Sequence, residues 1–296
     1  MVTPSIGLVL EGGGMRGAYT AGVLDAFMDQ GIEIPYVIGV SAGANAGANY
    51  VSGQRERNRR VFIDFVRDRR YAGLRNLWSE RSWFGMKFLF ETLPEKLLPF
   101  DYQRFQESAK TFTVCATDGA SGESVYFAQK EYDPYLFVRT IMRASSSLPL
   151  LAPPVAIDGR NCFDGGVSDS IPIERSLADG NQFNVVILTR NAGYRRKPAR
   201  LGAIPRRMLA GYPRIIERLN ERHRNYNACL NRIERLEREG RVFVFRPEAK
   251  LIVGRMERNP GKLADLYDQG YLEARERVDA LKKWMDQILE IVLTEQ

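Results

Sequence analysis

One histidine, His223, is all that this chain of 296 residues has. Any reaction that needs an imidazole must find it there, and a metal site built from several histidines has no material. Cysteine is scarce too. Cys115, Cys162 and Cys229 are odd in number, far apart and without a CxxC pair, so they read as buried or reduced thiols and not as metal ligands. Long apolar runs are missing. Residues 1–14 have no basic leader, and their apolar run is too short for a signal peptide or a membrane span, so a cytoplasmic protein is expected. The chain also shows no repeat, no low-complexity segment and no carboxylate cluster with calcium-loop spacing.

What is present suits an ordinary globular protein. With 44% hydrophobic and 10% aromatic residues, the chain can bury a sizeable core as one large domain, or as a domain with an appendage. Its formal charge of +7 is unevenly placed, because residues 190–241 hold fifteen Arg or Lys against five Glu, a local balance of +10. Residues 6–10 form a short apolar run ending at Glu11 and a glycine loop, which predicts a buried first strand. Residues 17–30 carry apolar positions at helical spacing and stop at Gly31. A second apolar run, 36–40, ends at Ser41 and leads into the small-residue helical stretch AGANAGANYVSG. This alternation of strand, glycine loop, helix, strand, sharp turn and helix predicts an α/β fold with a parallel sheet.

Residues 55–105 differ: basic at first, then dense in Trp, Phe and Leu. They predict a helical excursion packed on the sheet, or a lid or acyl-chain groove, with residues 78–105 lining the pocket. Further strands are predicted over 111–116, 125–128, 183–189 and RVFVFRP (241–247), and long charged helices over 211–239 and 262–293. The expected division is a catalytic domain over 1–190 and a basic, mainly helical region over 191–296 packed on it.

The chemistry starts at GVSAG, 39–43. A serine placed directly after a strand and before a helix sits on a tight turn, where its hydroxyl is exposed and the helix N-terminus stabilises negative charge. Gly39 and Gly43 give that turn room; a plain turn capped by Ser41 is the bland alternative. In EGGGMRG, 11–17, the residues Gly12, Gly14 and Gly17 spell GxGxxG. A dinucleotide site would want an acidic residue at the end of the next strand, and no Asp or Glu lies between Pro35 and Glu56. Successive glycine amides at a helix N-terminus serve an oxyanion hole instead. The base for Ser41 is then the question. His223 follows Ser41 and Asp164 in the chain order of α/β-hydrolase triads, yet between Arg222 and Arg224 it reads as a solvated helix residue. Asp164, on the glycine turn of FDGGVSDS, is the better candidate: its carboxylate would take the proton directly, as a dyad.

EGGGMRG, GVSAG and DGGVSDSIP, in this order and in this α/β setting, resemble the patatin-like phospholipase family, and RASSSLPLLAPPV resembles the segment before that family's aspartate. The resemblance covers roughly residues 6–172, and LYDQGYLEA (266–274) is similar to bacterial members. It implies a three-layer fold, a Ser41–Asp164 dyad without histidine, an oxyanion loop of Gly12, Gly13, Gly14 and Arg16, and a turn through Gly165 and Gly166. It also implies a lipid acyl hydrolase, acting on phospholipid or lysophospholipid esters without cofactor or metal; a transacylase would use the same residues. Two departures bear on pocket shape: Glu11 stands where plant-type members have Asp, and Asp169-Ser170 where many have Asn. The basic stretch 190–241 would then give peripheral contact with an anionic membrane, or form a solvated face partly paired with Glu. Nothing in its pattern suggests nucleic acid. A dinucleotide-binding protein and a catalytically silent lipid-binding protein are the competing readings.

Overall fold

The computed structural model describes residues 6–199 and 202–294, with side chains to residue 290. Arg200 of the basic stretch and the first five residues lie outside the described residues. Eight strands form one sheet: β1 (Ile6–Leu10), β2 (Tyr36–Val40), β3 (Thr111–Asp118), β4 (Ser124–Ala128), β5 (Val155–Ile157), β6 (Arg160–Asp164), β7 (Phe183–Ile187) and β8 (Val242–Phe245). Parallel pairing joins β3, β2, β1, β7 and β8 in that spatial order. β4 and β6 pair antiparallel with β3, and β5 pairs antiparallel with β6.

Four helices cover the sheet: α1 (Gly17–Asp29), α2 (Ala42–Val51), α3 (Pro213–Arg238) and α4 (Pro260–Thr294). Side chains alternate along each strand. Leu8, Leu10, Val185, Ile187 and Phe245 share one buried cluster with α1, α2 and α4, while Val9, Ile38, Val186 and Val244 share another with Tyr226, Leu230, Ile233 and Leu236 of α3. Helix, sheet and helix thus make the expected three layers. The chain leaves β1 toward α1 on one face and leaves β7 toward α3 on the other. The crevice between β1 and β7 is therefore a topological switch point, where α/β sheets place their ligands.

The aromatic excursion packs on the sheet as expected. It contains two wide π-helical segments, Arg60–Asp64 and Phe88–Leu97, and a third, Phe137–Met142, follows β4; the form is rare and concentrated at functional sites. The sequence predicts no strand between 128 and 183. The chain there folds into the β5–β6 hairpin, and Asp158 (φ 48°) with Gly159 (φ 76°) makes its left-handed two-residue turn. That hairpin carries Asp164 back against β3.

Candidate active site

Strand register brings the two candidate residues together. Val40 at the end of β2 pairs with Cys115, and Asp164 at the end of β6 pairs with Ala116. Ser41 and Asp164 therefore end neighbouring strands of β3 at one level, roughly 10 Å apart in backbone position, and their side chains converge across it. Ser41 holds φ 52° and ψ −121°, in the left-handed half of backbone space, as a nucleophile elbow demands. Its amide donates to Ser145 Oγ at 2.9 Å, and that hydroxyl donates to Cys115 O at 2.6 Å, which ties the elbow to β3. Gly43 has a steric reason to be glycine, because a Cβ there would stand 2.6 Å from Leu10 O. The elbow can then lie directly on the end of β1.

Asp164 is buried at 2% exposure. Its Oδ1 accepts the Gly166 amide at 2.7 Å, inside the turn through Gly165 and Gly166. Its Oδ2 is buried and makes no hydrogen bond of settled geometry. Burial raises the carboxyl above its ordinary value; the Ser41 hydroxyl, the Arg222 charge, the Gly166 amide and Arg255 each pull it back toward the ionised form. A carboxylate with one lone-pair face unspent and a serine hydroxyl beside it is the arrangement a direct base requires.

The glycine loop completes the site. The Gly12 amide donates to Ser170 O at 3.1 Å and the Met15 amide to Arg255 O at 3.0 Å, so neither is free for a ligand. Among the described residues, the amides of Gly13 and Gly14 take no partner. Gly14 sits at φ +59° with its α-carbon packed on Arg255, a conformation and a clearance that only glycine meets. Glu11 explains its departure from aspartate by reach: one oxygen accepts the Thr189 amide at 2.5 Å, the other the Tyr226 hydroxyl at 2.7 Å. It fastens the loop to β7 and to α3 at once. The Asp169-Ser170 pair does similar work, with Asp169 accepting from Tyr126 at 2.9 Å and Ser170 from Gly12.

A cavity of about 110 Å³ opens at Ser41 and Gly14. Phe62, Phe84, Phe90, Leu93, Val138 and Met142 make it apolar, and all three π-helical segments contribute. Only part of the expected lining is correct. Trp78 is 91% exposed and Phe105 is buried in the core, because the first lies on the outer side of a short helix and the second packs on Phe112 and Phe137. Wall residues from 57–62 and 138–148 belong to the cavity and lie outside the predicted stretch.

His223 does not join the site: its Nδ1 lies 3.0 Å from Asn220 O within α3, and no described hydrogen bond links it to Ser41 or Asp164. The residue before it does. Arg222, read from sequence as part of a basic helix face, donates to Ser170 Oγ at 3.3 Å and points at the turn after Asp164. Arg16 is only 4% exposed, and burial beside Arg190 and Arg255 lowers it to about 10. Much of the remaining basic stretch is neutralised locally, through Arg195–Glu234, Arg214–Glu217, Arg218–Glu123 and Arg232–Glu174.

A strained serine at a strand–helix elbow, a buried carboxyl beside it and unspent glycine amides thus lie together at one end of an α/β sheet. Residues 8–177 match the model of the patatin-like phospholipase family, and the chain belongs to that family of lipid hydrolases. Residues 212–286 match a second model, a domain of unknown function designated DUF6363. The chain is 32% identical over 194 residues to the uncharacterised protein YjjU of Escherichia coli K12, covering 62% of this chain and 52% of YjjU. It is 29% identical over 177 residues to the lysophospholipase NTE1 of Mycosarcoma maydis, covering 60% of this chain and 9% of that protein. The chain therefore spans about half the length of YjjU and a small part of the fungal enzyme. Among solved structures, VipD of Legionella pneumophila superposes with a TM-score of 0.53 at 14% identity, covering 94% of this chain and 67% of VipD. That likeness concerns the fold.

Proposed function

We propose that the chain hydrolyses the carboxylic ester of a lipid with Ser41 as nucleophile and Asp164 as base. The observation that carries this reading is the unspent Oδ2 of Asp164 beside Ser41, at the mouth of an apolar cavity. Asp164 takes the hydroxyl proton as Ser41 Oγ bonds to the ester carbonyl carbon. The negative charge that develops on the carbonyl oxygen meets the Gly13 and Gly14 amides and the N-terminus of α2. The carbon–oxygen bond to the alcohol then breaks, and the alcohol leaves with the proton from Asp164. Water attacks the acyl-serine, gives its proton to Asp164, and the fatty acid departs as Ser41 regains its hydrogen.

The cavity favours a lipid with one acyl chain. Its 110 Å³ offers room for about four waters, which suits the first part of one alkyl tail and not two tails side by side. A lysophospholipid is thus the substrate class we infer, and the relatives named lysophospholipase support it. No helix among the described residues is long and apolar enough to cross a membrane. Access to lipid then runs through surface contact, for which exposed Leu74 and Trp78 offer apolar side chains.

The test is release of p-nitrophenol from short and long acyl esters by the natural protein and by Ser41→Ala, Asp164→Asn and His223→Ala, with and without EDTA. The dyad requires that the first two lose turnover and that His223→Ala and EDTA leave it intact. Equal loss in His223→Ala would replace the dyad by a triad.

A further inference from the structure

Five arginines converge on the site without carboxylates enough to balance them. Arg222 reaches the turn after Asp164, with its Nη2 2.9 Å from the place a Cβ on Gly166 would occupy. Arg255 packs on Gly14 and accepts the Met15 amide through its carbonyl. Arg196 lies over the Tyr226 ring at 4.6 Å, Arg190 over the Tyr194 ring at 4.3 Å, and those two rings meet edge to face at 6.0 Å. Arg16 is buried behind them.

Among the described residues, none of the five forms an ion pair, and the Nε atoms of Arg16, Arg196 and Arg222 are buried without a hydrogen-bond partner. Glu11 and Asp164 are the acidic neighbours, so three positive charges remain unmatched. Arg222 is held down to about 9 by burial and then by Arg196 and Arg255. Fixing like charges together in a half-buried place is costly, and fixed guanidinium forks match the oxygens of phosphate in geometry and charge. Elsewhere on α3, exposed arginines do find their glutamates. Arg224 and Arg238 of α3 also lack a carboxylate, but they are exposed to solvent, whereas the unpaired arginines beside the glycine loop are largely shielded from it.

We infer that Arg190, Arg196, Arg222 and Arg255 form a phosphate-binding rim beside Ser41, which receives the phosphoryl headgroup of the lipid whose acyl chain fills the apolar cavity. Arg222 and Arg255 come from the segment that matches the domain of unknown function, so that segment supplies part of the site. Their placement follows from the fold: α3 is fixed to the loop by Tyr226 and Glu11, and the strap after β8 is fixed by Met15 and Arg255. Cavity and rim adjoin at the glycine loop, because Gly14 lines the cavity and Arg255 packs on Gly14. This inference rests on the hydrolase reading for the identity of the lipid, and on the arginines alone for the phosphate.

The experiment has a binding arm and a turnover arm. Calorimetry with Ser41→Ala measures inorganic phosphate and glycerol 3-phosphate. Kinetics compare 1-oleoyl lysophosphatidylglycerol with monooleoylglycerol in neutral detergent micelles. The expected result is binding of glycerol 3-phosphate, inhibition by it, and a kcat/KM preference for the phosphate-bearing lipid that falls about 10-fold or more in Arg196→Gln or Arg222→Gln. Arg196→Lys, which keeps charge and bulk, recovers part of the preference and separates a lost contact from a lost fold. Binding of inorganic phosphate without lipid preference supports the rim and assigns it to free phosphate. No binding in either form, with equal turnover of the two lipids, overturns the rim while the hydrolase stands. Binding without turnover of any ester overturns the hydrolase and leaves the rim.

Discussion

Ser41 occupies a backbone conformation that costs a residue with a Cβ about 1–3 kcal/mol. Ser41→Gly should therefore raise the melting temperature while it removes ester turnover, whereas Ser41→Ala loses turnover by about 10³-fold or more and keeps the strain. Calorimetric melting of the two variants checks this; equal stability would mean that the elbow is unstrained. Asp164 makes a matching argument with pH. Its carboxyl is raised by burial from an ordinary value of 3.8, and the proposed role as base needs it ionised. Turnover should rise with pH through that raised value and then level off. Stability runs the other way. A group whose folded value is raised lends stability fully below its unfolded value and loses it as pH climbs through the folded one. At neutral pH Asp164→Asn should thus be inactive and at least as stable as the natural protein, with the advantage fading in acid; a less stable variant at pH 7 would contradict the burial argument.

Elements carry the next set of constraints. The elbow stays open only because α2 starts on top of the end of β1, with Gly43 against Leu10 O. Gly43→Ala should cost about 1–3 kcal/mol and disturb Ser41 as well, seen as a lower melting temperature together with a lower kcat. The apolar cavity depends on the π-helical segments, whose wide turns set Phe90, Leu93 and Met142 on its wall. Met142→Trp should shift ester preference toward shorter acyl chains, and an unchanged chain-length profile would move the acyl site elsewhere. Sequence pattern revealed α1, α2, α3, α4 and most strands, because each has a clear period or an apolar run. It missed the β5–β6 hairpin, because strands of three and five residues are too short to show a clear alternation.

For the whole molecule, the C-terminal region is part of the same packing. Leu263, Leu266, Tyr267, Val278, Leu281 and Ile288 share the buried cluster of α1, and Tyr267 donates to buried Asp25 at 2.6 Å. Removing residues 260–296 would take six large side chains out of the core and uncover the surface of α1 they bury, a loss on the order of 10 kcal/mol against a typical total stability of about 5–15 kcal/mol. Such a truncation should fail to give a cooperative thermal transition. The +7 charge acts at longer range. Binding to liposomes should increase with anionic lipid and weaken with salt, and Trp78→Ser should reduce it; binding indifferent to both would remove membrane contact from this account.

Sequence alone determined the strand-to-loop punctuation, the glycine positions, the elbow and the aspartate turn, because local backbone geometry restricts which residues those turns accept. It also pointed away from His223, because a histidine between two arginines in a helical pattern reads as surface. Tertiary structure decided which groups meet. Strand register set Asp164 opposite Ser41 across β3, and hydrogen bonding spent the Gly12 amide while leaving those of Gly13 and Gly14. The packing of α3 on the sheet turned Arg222 inward and left Arg214 and Arg218 with their glutamates. A helical pattern gives the face of each residue only relative to its own axis; what that face meets depends on partners far away in sequence, and those contacts made this site.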